Sequence, residues 1–291
     1  MVCEKNNDLF GEGGLFMSEK RDQAETKQIA FIGGGNMAEG IIKGMTLDGQ
    51  LKGKQIRVFD IIAERIRYLA DTYGIEGCKT TQEAVKDADA IIFAVRPQDA
   101  EHVSAQLKGL MKKDSLFVSI CAGVTIGSFE KWLGEDRKIA RVMPNTLTET
   151  KHGFSAVCFN RYAEDTDKAL LQLILNAIGQ TVCIAEGMFD TFTAYSCAGP
   201  AYLLFLMNAM IDAGVRAGFS RKDSREMTIE NFIGTARKTN MTGKHPFEIL
   251  DTMTSPAGVG IEGIYTMQQE GVYGGVMHSI EEAVKKAGAL G

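Results

Sequence analysis

A glycine-rich turn lies between a short apolar run and a helical pattern near the start of the chain. In "AFIGGGNMAEG", Gly33 and Gly35 take the first two positions of a G-x-G-x-x-G/A pattern, and Ala38 takes the third. The first glycine allows a tight turn, the second lets a diphosphate approach the backbone, and the small third residue keeps helix and strand close. The helix that begins at Asn36 and Met37 offers free N–H groups to phosphates. This pattern predicts dinucleotide binding rather than a turn without a ligand.

An acidic residue ends the next apolar run, "QIRVF". Asp60 stands near the position where a carboxylate accepts a hydrogen bond from a ribose 2′-hydroxyl. A carboxylate there would repel a 2′-phosphate, so Asp60 favours NADH over NADPH. Asp60 could instead cap the helix that begins near Ala63. The neighbouring cations Arg57 and Arg65 would weaken the discrimination.

Three later apolar runs also end in small or polar residues, and ligands of open α/β sheets bind outside the carboxyl ends of the strands. These strand ends would meet at the edge of the sheet that carries the glycine turn. They therefore predict a cleft at this edge that binds the cofactor. Ala122 and Gly123 give a flat surface for a nicotinamide ring, and Asn145 offers an amide. The remaining candidates are Ala94, Val95, Arg96 and Pro97, in "AVRPQD".

A different stretch, "TSPAGVGIEG", interrupts the helical patterns near the C-terminus. It is either a plain turn between helices or a row of backbone N–H groups that would bind an anion at a helix start. His245, in "KHPFE", could serve as a general acid, but a His-Pro pair before a short helix is more typical of a turn and cap. The six cysteines and four histidines show no metal-ligand spacing, so we expect no metal site and free thiols in a reducing cytoplasm.

The elements that must position these residues change in kind along the chain. Up to residue 185, seven strand-length apolar runs alternate with helix-length spacers, which is typical of strands buried on both faces of a doubly wound sheet. After 186 the chain is Ala- and Met-rich and predicts mostly buried helices. The predicted strands are 28–33, 55–60, 90–95, 116–121, 138–143, 154–159 and 181–185, and the predicted helices include 36–49, 61–72, 188–217, 221–240, 245–252, 261–270 and 273–288.

We therefore expect an α/β Rossmann-type domain over 28–185 and an all-α domain over 186–291. Residues 1–27 are polar and lack the apolar core of a signal peptide, so we interpret them as a disordered leader, a cloning remnant or an upstream start. The net charge of −5 disfavours a nucleic-acid partner. We expect no apolar run to approach the roughly 18 residues of a membrane span. These features together predict a cytoplasmic protein.

The motifs "IGGGNM", "AVRPQ", "SICAGVTI", "RVMPNT", "CAGPAY" and "SPAGVGI" resemble the pyrroline-5-carboxylate reductase family in order and spacing, over nearly all of 28–290. The resemblance implies a Rossmann domain and a helical domain that forms a homodimer by interleaving long helices, with dimers able to gather into rings. It also implies reduction of a cyclic imine acid to proline with NAD(P)H.

The resemblance places the substrate carboxylate on a Ser-Pro-Gly-Gly-x-Thr loop. Backbone donors at the helix start survive here, but Ala257 replaces the first Gly and Gly260 replaces the Thr hydroxyl. A lost charge-assisted bond costs about 1.5–3 kcal/mol. We expect no dedicated catalytic residue, because an imine nitrogen takes its proton from solution, and we expect positioning by Ser255, Gly258 and Gly260. The full substrate set is Ser255, Pro256, Ala257, Gly258, Val259 and Gly260.

Further departures from the family pattern lie on the substrate side, at Cys197 and Ala198 in "SCAGPAY" and at Leu147 in "MPNTL". They leave two alternatives open: a reductase of another cyclic imine acid, or a nucleotide-binding regulatory protein without turnover. The related hydroxyacid dehydrogenases need an essential lysine on a long helix. Lys238 lies outside the appropriate motif, so this relationship is disfavoured.

Overall fold

The computed structural model describes residues 27–47, 51–134 and 136–289. The predicted leader therefore lies outside the described residues except for Lys27. The chain divides into two compact units, one that holds the residues up to Cys197 and again from Ala287 onward, and one over Ala198–Lys286. This division falls after the expected boundary at 186, because the intervening segment packs with the sheet: Phe189 is only 1% exposed.

The first unit is built on an eight-stranded sheet in the order β3-β2-β1-β4-β5-β6-β7-β8. All seven predicted runs form strands, and the two-residue strand β3 was missed because it is too short for a pattern. The strands are β1 Ile29–Ile32, β2 Ile56–Phe59, β3 Glu76–Gly77, β4 Ala90–Phe93, β5 Leu116–Ser119, β6 Lys138–Pro144, β7 Gly153–Phe159 and β8 Gly179–Cys183.

Two strands, β7 and β8, run against the other six. β7 is antiparallel to β6, while every other neighbouring pair is parallel. A parallel pair needs a crossover of about a dozen residues or more. The connection from β6 to β7 holds only a short 3-10 turn, Thr146–Thr150, so the chain must reverse direction.

Helices cover both faces of the sheet, and each strand feeds two cores. In β1, Ile29 and Phe31 join one core while Ala30 and Ile32 join the other, which is the two-residue period of a strand buried on both faces. The helices α1 Asn36–Leu47, α2 Ala63–Tyr73 and α6 Asp165–Asn176 line the first core, and α3 Thr81–Val85, α4 Ala100–Leu107 and α5 Ile126–Leu133 line the second. The Rossmann-type prediction for this unit is confirmed.

From β8 to residue 289 the structure contains helices and no further strand, as predicted. The expected helix over 188–217 is interrupted by a π turn, Thr193–Cys197, after which Pro200 lies in the first turn of the next helix, where its missing N–H costs nothing. The helices are α7 Phe189–Phe192, α8 Gly199–Arg216, α9 Arg221–Thr242, α10 Pro246–Met253, α11 Val259–Gln269 and α12 Val272–Gly288.

The helices of the second unit leave large apolar side chains uncovered. Phe205 is 77% exposed and Leu204 62%, and Met210 and Met227 are exposed as well. The prediction that these helices are mostly buried is therefore wrong for a single chain. An apolar surface of this kind marks an interaction site.

By length and composition alone, the stretch Glu186–Arg216 could cross a bilayer, since its most apolar window has a mean hydropathy of 1.3. The expectation that no run approaches a membrane span is therefore wrong on that criterion. The rest of the described chain holds no such stretch. The five cysteines of the described ranges are thiols rather than halves of disulfides, as predicted.

Candidate functional site

The glycine turn connects β1 to α1 in a space that admits no side chain. Gly33 has φ +96°, its N–H donates to the carbonyl of Phe59 at 2.8 Å, and a Cβ on it would lie 2.4 Å from the carbonyl oxygen of Ala94. A Cβ on Gly35, in contrast, would meet no atom within 4 Å. The turn therefore packs closely against the ends of β2 and β4 at Gly33 and is open at Gly35. The open space at Gly35 would allow a diphosphate to approach the backbone.

Asp60 ties the end of β2 to this turn. Its Oδ2 accepts from the N–H of Gly34 at 2.7 Å, and its Oδ1 accepts from the N–H of Ile62 at 2.9 Å. The second bond fixes the chain just before α2, close to the capping role considered for Asp60. The half-buried carboxylate thus carries its negative charge beside the glycine turn, at the end of β2.

The two neighbouring arginines are already engaged. Arg57 donates through Nε to Glu76 at 3.0 Å and through Nη1 to the carbonyl of Lys86 at 2.6 Å. Arg65 donates to the carbonyl of Gly34 and pairs with Glu39. Neither guanidinium is therefore free to offset the charge of Asp60.

A groove of about 610 Å³ opens beside Asp60, between α2 and the chain after β3. Ile61 lines it and is 88% exposed. Two cations, Arg67 and Lys79, also line it. The groove is large enough for the adenosine end of a dinucleotide. Its two cations partly offset the negative charge of Asp60.

The ends of β4 and β5 are joined below the predicted nicotinamide surface. The thiol of Cys121 donates to the carbonyl of Val95 at 3.1 Å. Burial raises the pKa of the Cys121 thiol to about 11, so at neutral pH it keeps the proton that it donates. Ala122 and Gly123 are exposed, and a Cβ on Gly123 would meet nothing within 4 Å. The surface at these two residues is therefore open, and its use for a nicotinamide ring stays a prediction.

The remaining residues at this edge differ in their surroundings. Ala94 and Val95 are half-buried just past the end of β4, and Pro97 opens a 3-10 turn. The side chain of Arg96 is 71% exposed and pairs with Asp99 at 2.8 Å. These residues form a rim next to the glycine turn, since the N–H of Ala94 donates to the carbonyl of Ile32.

Asn145 serves the fold in a way that the sequence did not indicate. It is 5% exposed, and its Oδ1 accepts from the N–H groups of Leu147 and Phe154, each at 3.1 Å. The amide oxygen therefore holds the turn between β6 and β7. This use explains why an asparagine follows Pro144 independently of any ligand.

A buried charge that the sequence analysis missed lies on β6. The side chain of Arg141 is 5% exposed, donates to Glu186 Oε1 at 3.1 Å, and lies 4.5 Å from the ring centroid of Phe189. The same Glu186 oxygen accepts from the N–H of Ile126, at the start of α5. A lone arginine in the apolar run "KIARVM" was the available signal for this contact.

The candidate substrate loop lies in the second unit and ends at the N-terminus of α11. Gly258 is the N-cap, and a Cβ there would lie 2.4 Å from Ser255 Oγ and 3.1 Å from the Ser255 carbonyl oxygen, so a side chain would require Ser255 to move. The first backbone hydrogen bond of α11 runs from the N–H of Glu262 to the carbonyl of Gly258, at 3.4 Å. The N–H groups from Val259 to Ile261 precede it and point out of the helix start.

Two substitutions in this loop have structural consequences. Ala257 has φ +56°, a left-handed conformation that glycine adopts without cost. A Cβ on Gly260 would lie 3.4 Å from the carbonyl oxygen of Met253, so a side chain fits there with ordinary contact. The loop therefore leads into a helix start while carrying two residues that differ from the family pattern, and carboxylate binding there stays a prediction.

His245 is the N-cap of α10. Its Nδ1 accepts from the N–H of Phe247 at 3.3 Å, and the two rings stack. This confirms the prediction of a turn and cap. No group of three or more His, Cys, Asp or Glu side chains suited to a metal occurs within the ranges that the structure describes.

A mostly parallel sheet with a glycine turn at its carboxyl edge, followed by a helical unit, defines an oxidoreductase with a Rossmann-type nucleotide site. Residues 186–290 match the family described as "Pyrroline-5-carboxylate reductase dimerisation", and residues 28–123 match "NADP oxidoreductase coenzyme F420-dependent". The chain belongs to the pyrroline-5-carboxylate reductase family. It therefore uses a nicotinamide cofactor and forms homo-oligomers.

Similar proteins cover almost the whole chain. The pyrroline-5-carboxylate reductase of Arabidopsis thaliana is 32% identical over 267 residues, which is 92% of this chain and 96% of the plant protein. That of Escherichia coli is 33% identical over 264 residues, 91% of this chain and 98% of the bacterial protein. The Coxiella burnetii reductase structure superposes with a TM-score of 0.86 at 27% identity, covering 91% of this chain and 99% of that one. The structure of the Plasmodium falciparum enzyme with NADP bound superposes with a TM-score of 0.81 at 28% identity, covering 92% of this chain and 99% of that one.

Proposed function

We propose that this enzyme reduces 1-pyrroline-5-carboxylate to L-proline. The observation that carries the proposal is the match of both units, over most of their length, to reductases named for this substrate. The reduced nicotinamide supplies a hydride, which forms a C–H bond at the imine carbon. The electron pair of the C=N bond stays on the ring nitrogen, which carries a proton from solution. No side chain of the described ranges is assigned as proton donor.

The cofactor fits the first unit through backbone rather than side chains. Gly33 shapes the turn, Gly35 leaves room for the diphosphate, and the N–H groups at Asn36 and Met37 open α1 toward it. The other cofactor contacts are proposed at Asp60, Ala94, Val95, Arg96, Pro97, Ala122, Gly123 and Asn145. Of these, Asn145 contributes through the turn that its amide oxygen holds.

The substrate carboxylate is proposed to bind at the start of α11. Ser255 and the backbone of 257–260 supply neutral donors, except for the N–H of Gly258, which donates to the Ser255 carbonyl at 3.0 Å. A helix N-terminus favours an anion without a charged side chain. This arrangement orients the imine carbon by holding the carboxylate, since hydride transfer needs the reacting atoms roughly 3–3.5 Å apart.

NADH is proposed as the preferred donor of the hydride. Asp60 brings a negative charge to the end of β2, and Arg57 and Arg65 do not pair with it because they contact Glu76 and Glu39. Arg67 and Lys79 are the cations that would admit a 2′-phosphate if the adenosine entered the groove from their side.

Oxidation of NADH and of NADPH with 1-pyrroline-5-carboxylate, followed by loss of reduced-nicotinamide absorbance, tests this function. We expect turnover of roughly 1–1,000 per second and a higher kcat/KM with NADH. A strong preference for NADPH would overturn the role given to Asp60. Tight NADH binding without turnover would instead support the regulatory alternative, and turnover only with another cyclic imine acid would change the substrate.

Gly260→Thr restores the hydroxyl that the family pattern contains. Because the position has room for a side chain, we expect the KM for 1-pyrroline-5-carboxylate to fall about tenfold, the equivalent of one charge-assisted bond. The KM for NADH should not change. Gly263→Thr is the matched control, since Gly263 lies one turn further along α11 in open space. An unchanged substrate KM in Gly260→Thr would show that the missing hydroxyl does not limit binding.

The homo-oligomer is proposed to be a dimer through the helical unit, able to gather into a ring of dimers in the cytoplasm. The exposed Leu204 and Phe205 lie in the stretch Glu186–Arg216 and would pack on the partner chain rather than in a bilayer. Light scattering on protein purified without detergent should give a multiple of two chains. A monomer, or a protein that stays with the membrane fraction, would contradict this assignment.

A further inference from the structure

We propose that Arg65 and Glu39 position the glycine turn for the cofactor diphosphate, and we call this pair the loop clamp. The proposal rests on the cofactor site described under the proposed function. Both residues lie outside the G-x-G-x-x-A pattern, and neither is among the residues assigned to hold the cofactor. They act on the ligand through the backbone of Gly34.

Gly34 is held from the side of α2. A Cβ on it would lie 2.9 Å from Leu69 Cδ1, so the turn rests directly on that helix. Its N–H donates to Asp60 at 2.7 Å, and its carbonyl accepts from Arg65 Nε at 2.5 Å. The peptide groups on both sides of Gly34 are therefore fixed, while Gly35 next to it stays open.

Arg65 is itself held in place by Glu39. The guanidinium pairs with Glu39 Oε2, and the two side chains are only 23% and 20% exposed. The other oxygen, Oε1, accepts from the hydroxyls of Tyr68 at 3.0 Å and Tyr73 at 2.8 Å. One carboxylate thus connects α1 with two turns of α2.

The clamp also balances charge at the diphosphate. Glu39 lies in the first turn of α1, the helix whose N-terminus faces the phosphates, and an unpaired carboxylate there would repel them. Burial by itself would raise the pKa of the Glu39 carboxyl, but the hydrogen bonds from Arg65, Tyr73 and Tyr68 outweigh it and lower the pKa. The carboxylate is therefore ionised and needs the charge of Arg65.

This double role separates the clamp from an ordinary ion pair of the fold. Loss of Arg65 frees the Gly34 carbonyl and leaves the charge of Glu39 unbalanced. Loss of both charged groups frees the carbonyl but removes the repulsion. A pair that only stabilised the fold would change the free energy of unfolding but would leave the Kd of the folded protein for NADH unchanged.

The test compares single and double variants of the full-length enzyme in NADH binding, by fluorescence titration, and in steady-state kinetics. Arg65→Met should raise the Kd and the KM for NADH about tenfold with kcat within about twofold of the wild type. Adding Glu39→Gln should bring the Kd back to within about threefold of the wild type. Arg57→Met is the matched control, because it breaks a similar pair with Glu76 at 3.0 Å without contact to the turn, and it should leave the Kd unchanged.

The clamp is overturned if Arg65→Met lowers kcat at an unchanged KM, if Arg57→Met weakens NADH binding equally, or if the double variant binds no better than the single one. Should Arg65→Met fail to fold, Arg65→Lys takes its place. Lysine keeps the charge but has a single donor nitrogen for two acceptors, so the expected rise in Kd is about threefold, and an unchanged Kd would overturn the proposal. If the wild-type enzyme bound no NADH, the proposed cofactor site would be wrong, and that failure is distinct from a failure of the clamp.

Discussion

Gly33→Ala should destabilise the first unit by about 2–5 kcal/mol, the combined cost of a left-handed alanine and of a backbone that must move to make room. The structure gives the reason, since Gly33 has φ +96° and its Cβ would lie 2.4 Å from the carbonyl oxygen of Ala94. Either the turn or the end of β4 would shift, and both belong to the proposed cofactor site. Urea unfolding measures the loss of stability, and NADH titration measures the loss of binding.

Gly35→Ala, two residues away, should behave in the opposite manner. Its Cβ enters open space, so the free energy of unfolding should stay within about 1 kcal/mol of the wild type. NADH binding should nevertheless weaken at least about tenfold, because the methyl group occupies the place where the diphosphate approaches. Equal losses of stability in the two variants would contradict this division of roles between the glycines.

Glu186→Ala should cost about 3–5 kcal/mol in the free energy of unfolding, because it leaves a buried guanidinium without its counter-charge. Arg141 is 5% exposed at its side chain, and its Nε already has no partner within the described chain. The substitution also removes the acceptor of the Ile126 N–H at the start of α5. Urea unfolding of the full-length protein is the measurement.

Two further variants separate this effect from a loss of any ion pair. Asp99→Ala breaks the exposed contact with Arg96 and should cost no more than about 1 kcal/mol. Arg141→Met together with Glu186→Leu removes both charges and should recover much of the stability lost in Glu186→Ala. A double variant as unstable as the single one would show that the charge of Arg141 is not the cause.

The sequence predicted the sheet well because its signal is local. A strand buried on both faces is a continuous apolar run, so the seven longer strands could be found without knowing their neighbours. The two-residue strand Glu76–Gly77 carries no such run. The direction of β7 depended on the length of the connection before it, which a run of apolar letters does not show.

The parts of the site that lie in one short motif were predictable from the sequence, and the contacts between distant residues were not. The glycine turn is one short motif, and its geometry around Gly33 matches the role that the motif gives it. The contacts of Gly34 with Asp60 and Arg65 join residues far apart in the sequence, so they became visible only in the fold. The sequence predicts only that Asn145 offers an amide, and the bond from the Phe154 N–H to its oxygen became visible in the fold.

The uncovered side chains of the helical unit, such as Leu204 and Phe205, have a consequence for inheritance. In the proposed two-fold dimer the same patch serves both chains, so one substitution changes the interface twice and its energetic effect is doubled. A cell that made equal amounts of a normal and an altered chain would form only about a quarter of its dimers from normal chains alone. A defect at this surface would therefore reach most of the enzyme, including half of the normal subunits.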